Sequence, residues 1–232
     1  VDAKLLPHLL SGISESSSQK PLLLAGMIAV LLITALAGPV WKKIPTPVFE
    51  QQSALVILLD LSSSMNATDI KPSRLARTRL KLQDLLKLRQ EGQTALIAYA
   101  ATAYAVSPLT DDSDTIQSMI SSLATEIMPA QGSRPEFAVM KALELFKNSA
   151  IPSGDILLMT DGISEASLGY IGAMKLQGHR LSIISVGTAE GAPIADTAGG
   201  FIKDSNGSIV IAKTRHDQLQ QLAQKMAGYH SV

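Results

Sequence analysis

Residues 54–65 read ALVILLDLSSSM, and this stretch decides the fold. Residues 54–59 are an unbroken Val-, Ile- and Leu-rich run, which predicts a central parallel strand buried on both faces. The run stops at Asp60, and serines follow at 62, 63 and 64. Outward from it, Pro72 and Ser73 open a helix to about Gln90, with Leu75, Leu82 and Leu86 on one face. A strand over 94–100 and a hairpin partner over 102–106 come next. Asp112 starts a helix that keeps Ile116, Ile120 and Leu123 on one side. Residues 126–133 are a loop and 135–148 a helix. Residues 155–160 repeat the opening pattern, a buried strand that runs into an acid, Asp161. A helix over 165–177, a strand over 180–187 and a short helical piece near 192–198 follow. Edge hairpin strands at 201–202 and 209–211, a surface helix over 216–227 and a tail at 228–232 complete the chain. Strand–helix alternation across 54–227 predicts an α/β domain: a doubly wound, mostly parallel sheet with helices on both faces. Such sheets bind ligands at the carboxyl ends of their strands, which is where Asp60 and Asp161 fall.

The loop after the first strand is the candidate site. In an extended loop, Asp60, Ser62 and Ser64 point the same way. One carboxylate with two hydroxyls is an all-oxygen set, suited to a hard cation such as Mg²⁺ rather than to zinc or copper. Ser133, in AQGS before a helix, and Asp161, in LLMTDG, are the further donors, and Gly132 and Gly162 beside them permit tight turns. The metal-ligand set expected is Asp60, Ser62, Ser64, Ser133 and Asp161.

Upstream, residues 22–41 read LLLAGMIAVLLITALAGPVW, and no charge falls between Lys20 and Lys42. As one helix that stretch would match a hydrocarbon core of roughly 30 Å, with Trp41, Lys42 and Lys43 as its interfacial stop. The expectation is a transmembrane helix over 22–41 held in membrane lipid. A loop over 1–21, with a further span before it, and a Pro-containing linker over 42–53 flank it. Lysine placement alone slightly favours a cytoplasmic domain.

Composition narrows the functions. The 232 residues carry 20 Lys and Arg against 20 Asp and Glu, and this neutral balance offers no basic face for nucleic acid. There is no cysteine, which excludes disulfides, thiolate metal sites and cysteine nucleophiles. No G-x-S-x-G and no glycine-rich phosphate loop is present. His8, His179, His216 and His230 read as ordinary surface histidines. Arg74, Arg77, Arg79 and Lys81 read as a solvated helix face, and Arg134 as a helix-start residue able to lean over the site rim. Glu165 is the one general-base candidate near Asp161. The chain is therefore not expected to be an enzyme. The alternatives are a metal-assisted hydrolase or phosphotransferase using the same ion, and a structural subunit whose ion only stabilises the loops.

DLSSSM resembles the Asp-x-Ser-x-Ser motif of the von Willebrand factor A domain. In that family a Thr from a second loop and an Asp from a third complete a metal-ion-dependent adhesion site; Ser133 stands at the Thr position and Asp161 at the Asp. The resemblance implies Mg²⁺ or Mn²⁺ and a protein partner that gives an acidic side chain to the ion. More narrowly, the hydrophobic segment with DLSSSMNATDIKPSRLARTRLK, PLTDDSDTI and MPAQGS resembles the bacterial aerotolerance proteins of the BatA and BatB type. That resemblance implies a membrane-anchored, metal-dependent protein-interaction module in the inner membrane. Its domain would lie in the periplasm, with other envelope subunits and a MoxR-type AAA+ ATPase as partners.

Overall fold

The computed structural model describes residues 19–37, 53–89, 91–196 and 199–232. The chain divides into two units, residues 1–48 and residues 49–232.

In the first unit, helix α1 (Lys20–Leu36) has Pro in its first turn, where a missing N–H costs nothing. It closes at Ala37, whose N–H bonds the Ile33 carbonyl at 2.9 Å. Its 17 residues rise about 26 Å, short of the roughly 30 Å of a hydrocarbon core. Among the described residues no helix is long and apolar enough to cross a membrane. This corrects the transmembrane helix expected over 22–41. The lipid contact and the inner-membrane, periplasmic placement that rested on it are corrected too. The uncharged run of the sequence extends to Trp41, whereas helix α1 starts on the charged Lys20 and ends at Leu36. Trp41, Lys42, Lys43, the linker over 42–52 and the loop over 1–18 lie outside the described residues.

In the second unit, six strands form a sheet in the order β3-β2-β1-β4-β5-β8. They are β1 (Leu55–Asp60), β2 (Thr94–Tyr99), β3 (Ala103–Thr110), β4 (Asp155–Thr160), β5 (Arg180–Ser185) and β8 (His230–Ser231). All pairs are parallel except β2 with β3, so the α/β, mostly parallel sheet read from sequence is present. Strand alternation sends Val56 and Leu58 to one face and Leu55, Ile57 and Leu59 to the other. The first face is covered by α4 (Pro135–Asn148), α5 (Glu165–Ala173) and α6 (His216–Lys225) through Val139, Phe146, Ile171 and Leu222. The second is covered by α2 (Arg74–Leu88) and α3 (Ser113–Ile120) through Leu75, Leu82, Leu86, Ile116 and Ile120. Side chains stop both of the latter helices from fraying: Ser73 accepts from Ala76 N–H at 3.2 Å and Asp112 from Thr115 N–H at 3.0 Å.

Two local expectations differ. The short helical piece near 192–198 is instead a strand, β6 (Ala192–Pro193), paired antiparallel with β7 (Ile211–Ala212). Residues 230–231, read as tail, form β8 on the sheet edge, with His230 beside Ile183.

Candidate functional site

The site sits at the carboxyl ends of β1 and β4. Asp60 ends β1 and is completely buried. Its Oδ1 accepts the Ser62 N–H at 2.9 Å, which turns the chain out of the strand. Its Oδ2 accepts from Thr160 Oγ1 at 2.7 Å, Tyr99 OH at 3.0 Å and Ser133 Oγ at 3.2 Å. The loop is not extended as expected but enters a turn of 3₁₀ helix (Ser63–Asn66). Ser62 and Ser64 still meet, Oγ to Oγ at 3.1 Å, while Ser63 turns away to Gln131 Oε1 at 2.7 Å. Ser64 also hydrogen-bonds Asp161. Ser133 reaches Asp60 from the loop before α4, where Gly132 adopts φ 135°, a left-handed conformation that favours glycine. One connected set of hydrogen bonds thus brings together Asp60, Ser62, Ser64, Ser133 and Asp161.

Asp161 follows β4 and is 5 % exposed. Its Oδ2 accepts from Arg74 Nη1 at 2.6 Å. Arg74 was expected on a solvated face, yet it is 0 % exposed. The first turn of α2 points it inward, where its Nε and Nη2 also hold Asp69 at 2.8 and 2.7 Å and Nη2 donates to the Ala212 carbonyl at 2.7 Å. Asp69 in turn accepts from Thr188 N–H at 2.8 Å and Thr188 Oγ1 at 3.1 Å. The guanidinium bolts the site to the segment after β5. Gly187 leaves room for it, since a Cβ there would lie 2.8 Å from Arg74 Cζ and 2.2 Å from Thr214 Oγ1.

The electrostatics follow from these partners. Burial, then the neighbouring Asp161 charge, pushes the Asp60 carboxyl up to about 6, against the pull of its Ser62 and Thr160 hydrogen bonds. Burial raises Asp161 as well, opposed by the Arg74 charge. Burial would also raise Asp69, but the Arg74 and Thr188 hydrogen bonds outweigh it and bring Asp69 down to about 2. Tyr99 rises through burial and the Asp60 charge, so it stays a neutral donor.

Sequence reasoning missed Tyr99, Thr160, Arg74 and Asp69. The parallel register pairs Asp60 with Tyr99, so the signal for Tyr99 was its position at the end of the neighbouring strand. Thr160 carried a signal as the residue before Asp161. Arg74 and Asp69 pair with each other five residues apart, but their link to the site runs through Asp161 and Thr188, 87 and 119 residues away, which no local pattern shows. The remaining candidates lie elsewhere. Arg134 pairs with Glu136 at 2.9 Å and stacks 4.3 Å over Phe137. Glu165 is exposed and pairs with Arg215 at 3.5 Å. His179 is no surface residue: it is buried and stacks on Phe146 with ring centroids 4.2 Å apart.

Residues 55–164 match the family model of the von Willebrand factor type A domain. A UPF0353 protein of Mycobacterium sp. (strain KMS) is 26 % identical over 241 residues, spanning 91 % of this chain and 70 % of the relative. Among solved structures, an aerotolerance-related membrane protein from Bacteroides fragilis superposes with TM-score 0.71 at 23 % identity, over 77 % of this chain and 90 % of its own. BatB from Bacteroides thetaiotaomicron gives 0.70 at 24 %, over 77 % and 88 %. At these identities the likeness shows the fold. Type A domains of this kind are characteristically non-catalytic, and they often use a metal-ion-dependent adhesion site.

Three functional expectations are corrected here. The membrane anchor is overturned by the short α1. A ready-made metal cluster is not found: among the described residues no group of three or more His, Cys, Asp and Glu side chains is placed to hold an ion. The partners expected, an AAA+ ATPase, envelope subunits and an acidic protein side chain, have no support in the names of these relatives.

Proposed function

We propose that this chain, a von Willebrand factor type A domain protein related in fold to the BatA and BatB aerotolerance proteins, is a protein-interaction module. Its functional centre is the crevice at the carboxyl ends of β1 and β4, and Asp60, Ser62, Ser64, Ser133 and Asp161 hold Mg²⁺ or Mn²⁺ there. The observation that carries this reading is the convergence of the five side chains in one hydrogen-bonded set. The donor chemistry fits: two carboxylates and three hydroxyls are hard oxygen ligands. The electrostatics fit as well, because Asp60 is a buried carboxylate whose polar partners are neutral. A cation there offsets the charge that burial disfavours. Thr160 and Tyr99 orient Asp60 from behind and play the part of outer-shell partners.

Titration calorimetry with Mg²⁺ and Mn²⁺ on the full chain tests the assignment. About one ion per chain is expected, lost in D60A and weakened in S133A, with the fold of each variant checked by circular dichroism. No binding to the wild type at about 10 mM metal refutes it.

A further inference from the structure

Ser63, the middle serine of DLSSSM, has no place among the five side chains of the crevice. It turns away and donates to Gln131 Oε1 at 2.7 Å. Gln131 Nε2 donates in turn to the Thr125 carbonyl at 2.8 Å. A carbonyl can only accept, so the amide has one orientation and both of its ends are used. A second link runs alongside: Asn66 Nδ2 donates to Thr125 Oγ1 at 2.8 Å, and that hydroxyl donates to Glu126 Oε1 at 3.0 Å. The 3₁₀ turn Ser63–Asn66 is thus clasped at its first and last residues to the segment 125–131.

The clasp lies beside the crevice on both of its loops. Ser62 immediately precedes the turn and Ser64 is within it, while Gln131 stands two residues before Ser133. Backbone bonds tie the Ser133 loop to the end of β2: Ala101 N–H donates to the Ala130 carbonyl at 3.4 Å and Arg134 N–H to the Ala100 carbonyl at 2.9 Å. They leave its distance from Ser62 and Ser64 unset. The direct link, Ser133 Oγ to Asp60 Oδ2 at 3.2 Å, joins two of the five site residues themselves. The clasp joins the same two loops through side chains outside that set.

We propose, given the cation assigned to the crevice, that Gln131 with Ser63 as its partner is a positioning residue: it presets the span between the Ser62–Ser64 pair and Ser133 and makes the crevice exacting about ion size. Mg²⁺ demands near-ideal octahedral geometry, whereas the larger Ca²⁺ accepts irregular and more numerous oxygens. Releasing one loop from the other therefore costs Mg²⁺ more than Ca²⁺. Gln131 is exposed, so its amide sets the span without supporting the core.

The test is calorimetric titration of the full chain with Mg²⁺ and, separately, with Ca²⁺, in wild type, Q131A and S63A, with a thermal melt of each metal-free protein. In Q131A the Mg²⁺ affinity falls about tenfold and the Ca²⁺ affinity less than about threefold. The melting temperature of the metal-free variant stays within about 2 °C of wild type. S63A shifts the ratio in the same direction, and the S63A/Q131A double variant adds little to Q131A, because both single changes break the same contact. A role in folding alone would lower the melting temperature and weaken both ions alike, and that result overturns the proposal. It is equally overturned if wild type binds Mg²⁺ and Q131A keeps the same Mg²⁺-to-Ca²⁺ ratio. Wild type that binds neither ion overturns the cation assignment itself, and the positioning role falls with it.

Discussion

Replacing Arg74 by Met removes the single cation from a buried charge cluster and keeps most of the side-chain volume. The structure sets the size of the effect. Four hydrogen bonds go at once, two to Asp69, one to Asp161 and one to the Ala212 carbonyl. Asp69 retains its Thr188 contacts and Asp161 its Ser64 contact, but among the described residues neither keeps a positive partner within hydrogen-bond reach. Breaking a buried ion pair from one side costs about 3–5 kcal/mol, because the orphaned charge stays behind. Here two carboxylates are orphaned, so R74M should lose at least that lower figure, a large part of a typical 5–15 kcal/mol of stability. Urea unfolding followed by circular dichroism reads the loss as a lower midpoint at unchanged slope. Adding D161N to R74M removes one of the orphaned charges, and the double variant should recover part of the loss, with a coupling of about 1–3 kcal/mol. A loss in R74M under about 1 kcal/mol at pH 7 would mean that the cluster is wet and loosely paired, and the buried-bolt reasoning fails.

The pH dependence of Asp69 follows from its low carboxyl value. Its stabilising effect, about 2 kcal/mol, is complete above the unfolded value of 3.8 and disappears as pH falls through about 2. Urea midpoints between pH 5 and pH 2 should therefore fall less steeply in D69N than in wild type. Gly228→Ala should destabilise by about 2 kcal/mol or more, because its Cβ would lie 1.9 Å from the Leu181 carbonyl oxygen, a backbone atom of β5 with no room to yield; a melting temperature equal to wild type refutes this. His179 has its imidazole lowered from 6.5 by burial, so the stability linked to it is whole above that pH and falls below it. H179F, which keeps the stack on Phe146, should flatten the decline between pH 6.5 and pH 5 measured by the same unfolding curves.

Much of the sheet was legible because its signals are local. Buried parallel strands such as β1 and β4 are continuous apolar runs, and α2 and α3 show one-faced Leu and Ile spacing. What failed lacks such a signal. β6, β7 and β8 have two residues each, too few for any period, and are set by tertiary pairing. The 192–198 region carries Ala and Pro, compatible with several backbones, and its strand exists because Ile211–Ala212 runs alongside. The uncharged run after Lys20 shows hydropathy plainly, but hydropathy does not show where a helix ends, and α1 stops before the run does.

Asp60, Ser62, Ser64, Ser133 and Asp161 came from spacing and from strand ends, and the structure joins them. Arg74 did not, although it governs their charge balance. It lies in a run with Arg77, Arg79 and Lys81, and nothing in that run distinguishes an inward-facing cation from its solvated neighbours. The distinction arises from Asp69 and Asp161, both carboxylates brought to it by the fold. The guanidinium serves these two and makes no bond to Asp60, whose partners are a backbone N–H, three hydroxyls and a phenol. The two acids at the strand ends are therefore not equivalent. Asp161 is charge-compensated from within the protein, while Asp60 is held by dipoles alone and pushed up to about 6. A divalent ion gains most from contact with the uncompensated carboxylate, and at Asp161 it meets the charge of Arg74, which already holds Oδ2. On this ground Asp60, with the serine hydroxyls beside it, is the primary anchor of the proposed cation, and Asp161 supports it from the far side of the crevice.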